Sequence, residues 1–114
     1  MGYALVFWNQ DGNDGAPQNI YELLQNGDKV RQVEKLPINQ VLHTLEREFE
    51  DWTHPDADSF EKEGRGAFQV ATTPYLVEFN CYGMLSDDMN RLIDIMLPFG
   101  CFLYDPQTNE RFAG

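Results

Sequence analysis

Tyr3-Ala4-Leu5-Val6-Phe7-Trp8 is the stretch on which the fold turns. It is an unbroken apolar run, aromatic and branched, without the polar alternation of a strand that has one wet face. It is also short for a helix buried on every side. It therefore reads as a strand covered on both faces or central in a sheet. Asp11-Gly12-Asn13-Asp14-Gly15 stops it, because these residues favour tight turns over extended pairing.

Outward from that strand, Pro17 suits the first turn of a short helix carrying Ile20, Tyr21, Leu23 and Leu24, and Asn26-Gly27 ends it. Residues 28–36 leave two readings open. Val30, Val33 and Leu36 are either one helical face or pins that hold a loop to the core. Pro37 opens the clearest helix, because Ile38, Val41, Leu42, Leu45, Phe49 and Trp52 fall on one stripe, with His43, Glu46, Arg47 and Glu50 opposite. Thr53 to Gly66 is polar and reads as a loop.

Phe68–Thr72 and Tyr75–Tyr82 flank Thr73-Pro74 as a hairpin, and Val77, Phe79 and Cys81 alternate with Glu78 and Asn80. Ser86 is placed to cap a helix, with Asp87 and Asp88 in its first turn and Met89, Leu92, Ile93 and Met96 as its stripe. Pro98 and Gly100 end that helix, and Cys101 to Tyr104 form a last strand. The order predicts one α+β domain over residues 1–114: a ferredoxin-like β-α-β-β-α-β sandwich. Its four-stranded antiparallel sheet would carry helices on one face and the first and third strands at its centre. Another strand order is the alternative, since sequence indicates elements more directly than topology.

Composition narrows the classes. With 42% hydrophobic and 13% aromatic residues the chain can build a core, which excludes disorder. No apolar run approaches the ~20 residues of a membrane span, and the N-terminal stretch lacks the basic flank of a signal peptide. Cys81 and Cys101 make no disulfide framework, and reduced thiols in the cytoplasm are the simpler expectation. The net charge of -11 repels phosphate, so neither nucleic acid nor an anionic membrane is expected as a partner, whereas a basic protein is attracted.

Catalytic and metal motifs are weak. Asp11 to Gly15 with Glu22 resembles a calcium loop in outline. However, Gly15 and Ala16 occupy the fifth and sixth positions, where a ligand and the Gly are needed, so a turn is expected. Asp51, His54, Asp56 and Asp58 form an acid-and-histidine cluster without a second histidine or helical ligand spacing, and a solvated loop is expected there. Cys81 and Cys101 fall at apolar positions, and His43 lies on a polar helix face with no base or orienting acid beside it. No catalytic residue, metal or cofactor is therefore assigned.

The ending Gly100-Cys101-Phe102-Leu103-Tyr104-Asp105-Pro106-Gln107, after a helix, resembles that of small bacterial proteins of unknown function, some of them immunity-like. The similarity runs from about Tyr75 onward. It implies a bacterial cytoplasmic protein and transfers no site residue.

Charge clustering carries the most functional content. Between Glu46 and Glu63 lie eight acids and two bases, interleaved with Phe49, Trp52 and Phe60. Phe49 and Trp52 belong to the core stripe, which leaves Phe60 as the expected exposed anchor. Glu46, Glu50, Asp51, Asp56, Asp58, Phe60 and Glu61 form the candidate partner-binding set, because such a surface steers and then grips a cationic protein. An immunity or inhibitor protein for a basic toxin fits this size and charge. The alternative is a small-ligand-sensing or regulatory ferredoxin-like domain, homodimeric through an edge strand. Its weaker candidate pocket is Trp8, Asn9 and Asp11 at the end of the first strand.

Overall fold

The unalternating run forms the centre of the sheet. The computed structural model describes residues 2–11, 16–56 and 58–112. Within it β1 (Gly2–Gln10) pairs antiparallel with β5 (Leu76–Tyr82) on one side and β6 (Phe102–Asp105) on the other. Alternate side chains enter two different cores. Leu5 and Phe7 pack with residues of α2 (Ile38–Glu48) and α3 (Ser86–Met96), while Val6 and Trp8 pack with Ile20 and Leu24 of α1 (Pro17–Gln25). Both faces of β1 are thus buried, as its composition predicts.

The sheet runs β3-β4-β5-β1-β6-β7, antiparallel throughout, with β3 (Ser59–Lys62), β4 (Gly66–Thr73) and β7 (Glu110–Phe112). A short β2 (Val33–Glu34) adds to the end of β1 at Asn9 and Gln10. The expectation of four strands with helices on one face is therefore corrected to seven strands with helices on both. Two of the extra strands were hidden by composition. β3 lies inside the polar segment expected to be a loop, and β7 follows the turn after Asp105. Both are short outer strands, where polar and charged residues are usual. α1 reaches the opposite face from α2 and α3 because its apolar pair meets the even-numbered residues of β1.

The long apolar stripe is not one helix. α2 ends at Glu48, and Phe49 leaves it with φ -113 and ψ 33, yet Phe49 and Trp52 are both buried. Glu46, Glu48, Glu50 and Asp51 gather where a helix presents its negative end, which opposes continuation. Ser86 is likewise inside α3, and Leu85 is the capping residue, without a side-chain cap. Gly66, the first residue of β4, has φ +96, and a Cβ there would lie 2.6 Å from the backbone of Gly83. Only glycine lets the two chains approach so closely.

Asp88 ties this hairpin to the helical layer. Its carboxylate is fully buried and accepts from Arg65 Nε at 2.7 Å, Arg65 Nη2 at 2.5 Å and Arg91 Nη1 at 3.3 Å. Arg91 also lies 4.2 Å above the Phe49 ring and donates to the Glu48 carbonyl, satisfying one of the orphan acceptors at the end of α2. At the other edge, Gln107 completes the sheet with its side chain. Its Oε1 accepts from Ala4 N at 2.7 Å and its Nε2 donates to Ala4 O at 3.1 Å, so the amide stands in for a strand residue.

Among the described residues no helix is long and apolar enough to cross a membrane.

Candidate protein-binding face

The segment 46–63 leaves α2, turns back through Thr53 and returns as β3. Glu46, Glu48, Glu50, Asp51, Asp56, Asp58, Glu61 and Glu63 are all exposed. Of these, Asp51 is ion-paired, with Lys62, whose hydrogen bond is the main force holding the Asp51 carboxyl below its usual range. Thr53 lies along the outer edge of β3. It exchanges backbone hydrogen bonds of 2.8 and 2.9 Å with Glu61, which closes that part of the edge.

Phe60 is not the exposed anchor. It is 2% exposed, stacked on Phe68 at 4.7 Å and edge-on to Phe49 at 6.2 Å, with His54 over its free side at 4.1 Å. Strand alternation explains the difference: β3 turns Phe60 toward the helical core and Ser59 and Glu61 toward the opposite face. That alternation is legible only once the pairing with β4 makes the segment a strand. The aromatic side chain that does reach solvent beside the acids is Tyr82, 46% exposed at the end of β5.

Tyr82 belongs to a part of the sheet that α1 leaves uncovered. Register places Glu61, Ala67, Tyr82 and Gly2 in one row across β3, β4, β5 and β1, and Ser59, Gln69, Asn80 and Ala4 in the next. Ala71 and Glu78 follow, where Glu78 accepts from the Tyr21 hydroxyl at the margin of α1. That bond, with desolvation as the larger cause, pushes the Tyr21 hydroxyl well above its ordinary range.

Two hollows open on this face. One, of about 470 Å³, is lined by Asp51, Thr53, Glu61, Glu63, Ala67 and Tyr82, and also by Lys62, the partner of Asp51. The other, of about 460 Å³, is lined by Asp56, Asp58, Ser59, Gln69, Ala71 and Asn80. The structure therefore brings Asp51, Asp56, Asp58 and Glu61 of the expected set to one face, while Glu46 and Glu50 stay with the end of α2. Tyr82, Gln69, Asn80, Ser59 and Glu63 were missed. The alternation of β5 marked Asn80 as wetter, but only the pairing of β3 could have grouped the rest.

The other sequence candidates are dispersed. Trp8 is sealed in the core and donates to Gln10 Oε1 at 3.0 Å. Asn9 points to the opposite side of β1, where its Nδ2 donates to the Phe99 carbonyl at 3.4 Å and packs on Gly100. Asp11 is exposed at the strand end. Trp8 and Asn9 thus face opposite sides of β1 rather than one shared wall. The calcium-like positions 12–15 lie outside the described residues. Cys81 and Cys101 are buried free thiols, and burial pushes each up to about 12, far from a thiolate nucleophile at neutral pH. His43 is exposed on α2. A further hollow of about 600 Å³ lies between the start of α2 and the β4–β5 turn, lined by Leu36, Pro37, Ile38 and Thr72 to Pro74, with Lys35 as its charged group.

Comparison with protein-family models, with curated proteins and with solved structures finds no match to this chain.

Proposed function

We propose that this chain is a non-catalytic protein-binding domain that holds a basic partner through its acidic 46–63 region, in the manner of an immunity or inhibitor protein for a cationic toxin. The supporting observation is the exposure of all eight acids of that segment, with Asp51 alone of them ion-paired among the described residues. Uncompensated surface charge of one sign accelerates encounter with the opposite sign and is screened by salt. The sealed thiols and the isolated His43 favour a binding role over nucleophilic chemistry. The strands β4-β5-β1-β6 with α2 and α3 follow the order of a ferredoxin-like unit, and we read α1, β2, β3 and β7 as additions to it. The buried free cysteines suit a reducing cytoplasm.

The test is capture of a purified basic nuclease by the immobilised chain at low salt. Binding falls steeply between 50 and 200 mM salt, on the order of ten-fold or more. Changing Glu46, Glu50, Asp56 and Glu61 to lysine abolishes it. Capture that survives the four changes overturns the electrostatic reading.

A second reading is small-ligand sensing, which the hollow at Leu36, Ile38 and Pro74 favours. A thermal-shift screen in which no ligand raises the melting temperature counts it out.

A further inference from the structure

The uncovered face is more specific than a diffuse negative patch. Its two hollows belong to neighbouring rows, Glu61-Ala67-Tyr82 and Ser59-Gln69-Asn80, separated by two residues along each strand. That separation is roughly 7 Å, the same step that divides alternate side chains of an extended peptide.

The hollows differ in chemistry. At the first, the half-exposed Tyr82, whose ring leans over Gly2, shares the lining with Glu61 and Glu63, while Lys62 is already committed to Asp51. An aromatic face next to carboxylates suits a guanidinium, which is planar and able to stack and to bond at once, better than a compact ammonium. At the second, Gln69 Nε2 donates to Ser59 Oγ at 3.4 Å and Asn80 Nδ2 donates to Glu78 Oε2 at 3.2 Å. One N–H of each amide is thus held within the protein, and the carbonyl ends of both side chains stand as acceptors beside Asp56 and Asp58. Two carboxylates and two amide carbonyls together favour a donor-rich cation, and arginine is the side chain with the most donors. Ala67 and Ala71 keep the floor low enough for aliphatic stems. A second copy of the chain is a poor occupant, since each copy carries a net charge of -11.

We propose that this face is a two-socket receptor for an extended Arg-X-Arg segment of the partner. One arginine lies on Tyr82 with Glu61 and Glu63, and the other lies against Asp56, Asp58, Gln69 and Asn80. The proposal rests on the reading of the chain as a binder of a basic protein and assigns where, and to which sequence, that binding occurs.

The test titrates the ¹⁵N-labelled chain at low salt with synthetic peptides carrying Arg-Gly-Arg, Arg-Arg-Gly or Lys-Gly-Lys, and with spermine. Arg-Gly-Arg binds most tightly, by about five-fold or more over each of the others, and shifts the amides of Ala67, Gln69, Asn80 and Tyr82. Tyr82→Leu, an exposed position that does not threaten folding, weakens it by about five-fold while leaving Lys-Gly-Lys nearly unchanged. Equal affinity for adjacent and alternate arginines, or shifts confined to Glu46 and Glu50, overturns the sockets. Spermine binding as tightly as Arg-Gly-Arg overturns the polypeptide assignment. A chain that ignores every peptide but still captures the basic nuclease in a salt-dependent way loses the sockets and keeps the broader function. A chain that binds neither loses both.

Discussion

Phe60→Ala separates the buried position seen in the structure from the exposed one that the polar context suggested. The ring is 2% exposed and touches Phe68, Phe49 and His54. Removing a buried phenylalanine costs about 3–5 kcal/mol, including the cavity left behind. Phe60 lies on an outer strand where neighbours can relax into the space, which lowers the figure, while the loss of a stacked partner raises it by about 1 kcal/mol. The net is about 3–4 kcal/mol. A chain of 114 residues has a total stability of roughly 6–17 kcal/mol, so the variant still folds and can be measured. In urea, with a slope of about 1.5 kcal/mol/M, the unfolding midpoint falls by about 2–2.7 M. Phe60→Leu, which keeps most of the apolar volume, costs about 1–1.5 kcal/mol. An exposed side chain would cost within about 0.5 kcal/mol in either direction. A midpoint shift below about 0.5 M at unchanged slope would therefore refute the placement of β3 and, with it, the grouping of Glu61 with Tyr82.

Asp88→Ala leaves Arg65 and Arg91 without their shared acceptor, so the melting temperature falls by several degrees and hydrogen exchange speeds up across the β3–β4 turn; unchanged melting counts against the clamp. Cys81 and Cys101 resist alkylation at pH 8 in the native protein and react in urea, because burial raises both thiols to about 12. The unfolded thiols ionise near ~8.5 while the folded ones keep their protons. Their contribution is thus complete below that pH and declines toward 12, and Cys→Ala at both positions flattens the alkaline limb of a stability–pH curve. Burial pushes the Asp105 carboxyl upward, but hydrogen bonds from Tyr3 and from the Gln107 side chain and backbone outweigh it and hold the group below its ordinary value. That contribution is present above the unfolded carboxyl value near ~3.9 and is lost as pH falls through the folded one, so Asp105→Asn weakens the acid dependence of melting between pH 2 and 5. Gln107→Ala accelerates exchange of the Ala4 amide by about ten-fold, and an unaltered rate removes the side-chain strand substitute.

What was legible in the sequence followed hydrophobic pattern. The run from Tyr3 to Trp8 announced a strand buried on both faces, the stripe from Ile38 to Leu45 announced α2, and Thr73-Pro74 announced the β4–β5 turn. Features set by pairing or by charge were hidden. Ser59 to Lys62 has no strand composition of its own, and only its register with β4 makes it a strand. Phe49 and Trp52 kept the helical spacing after the helix had ended, because a turn can deliver buried rings to the same core as a helix can. The eight acids could be counted from the chain, but which face they share depends on the parity of β3. Parity buries Phe60 and leaves Tyr82 as the aromatic side chain that reaches solvent beside the acids. The side of the sheet that α1 takes had no local signal at all, since Ile20 and Leu24 fit either face equally well.

β1 is a common wall between two apolar compartments, with Leu5 and Phe7 on one side and Val6 and Trp8 on the other. Neither compartment can open while the other stays closed, because each lacks a boundary once that strand departs. Melting followed through Trp8 on one side and through Trp52 on the other should thus give superimposable curves, with no half-dissolved species between the native and denatured forms.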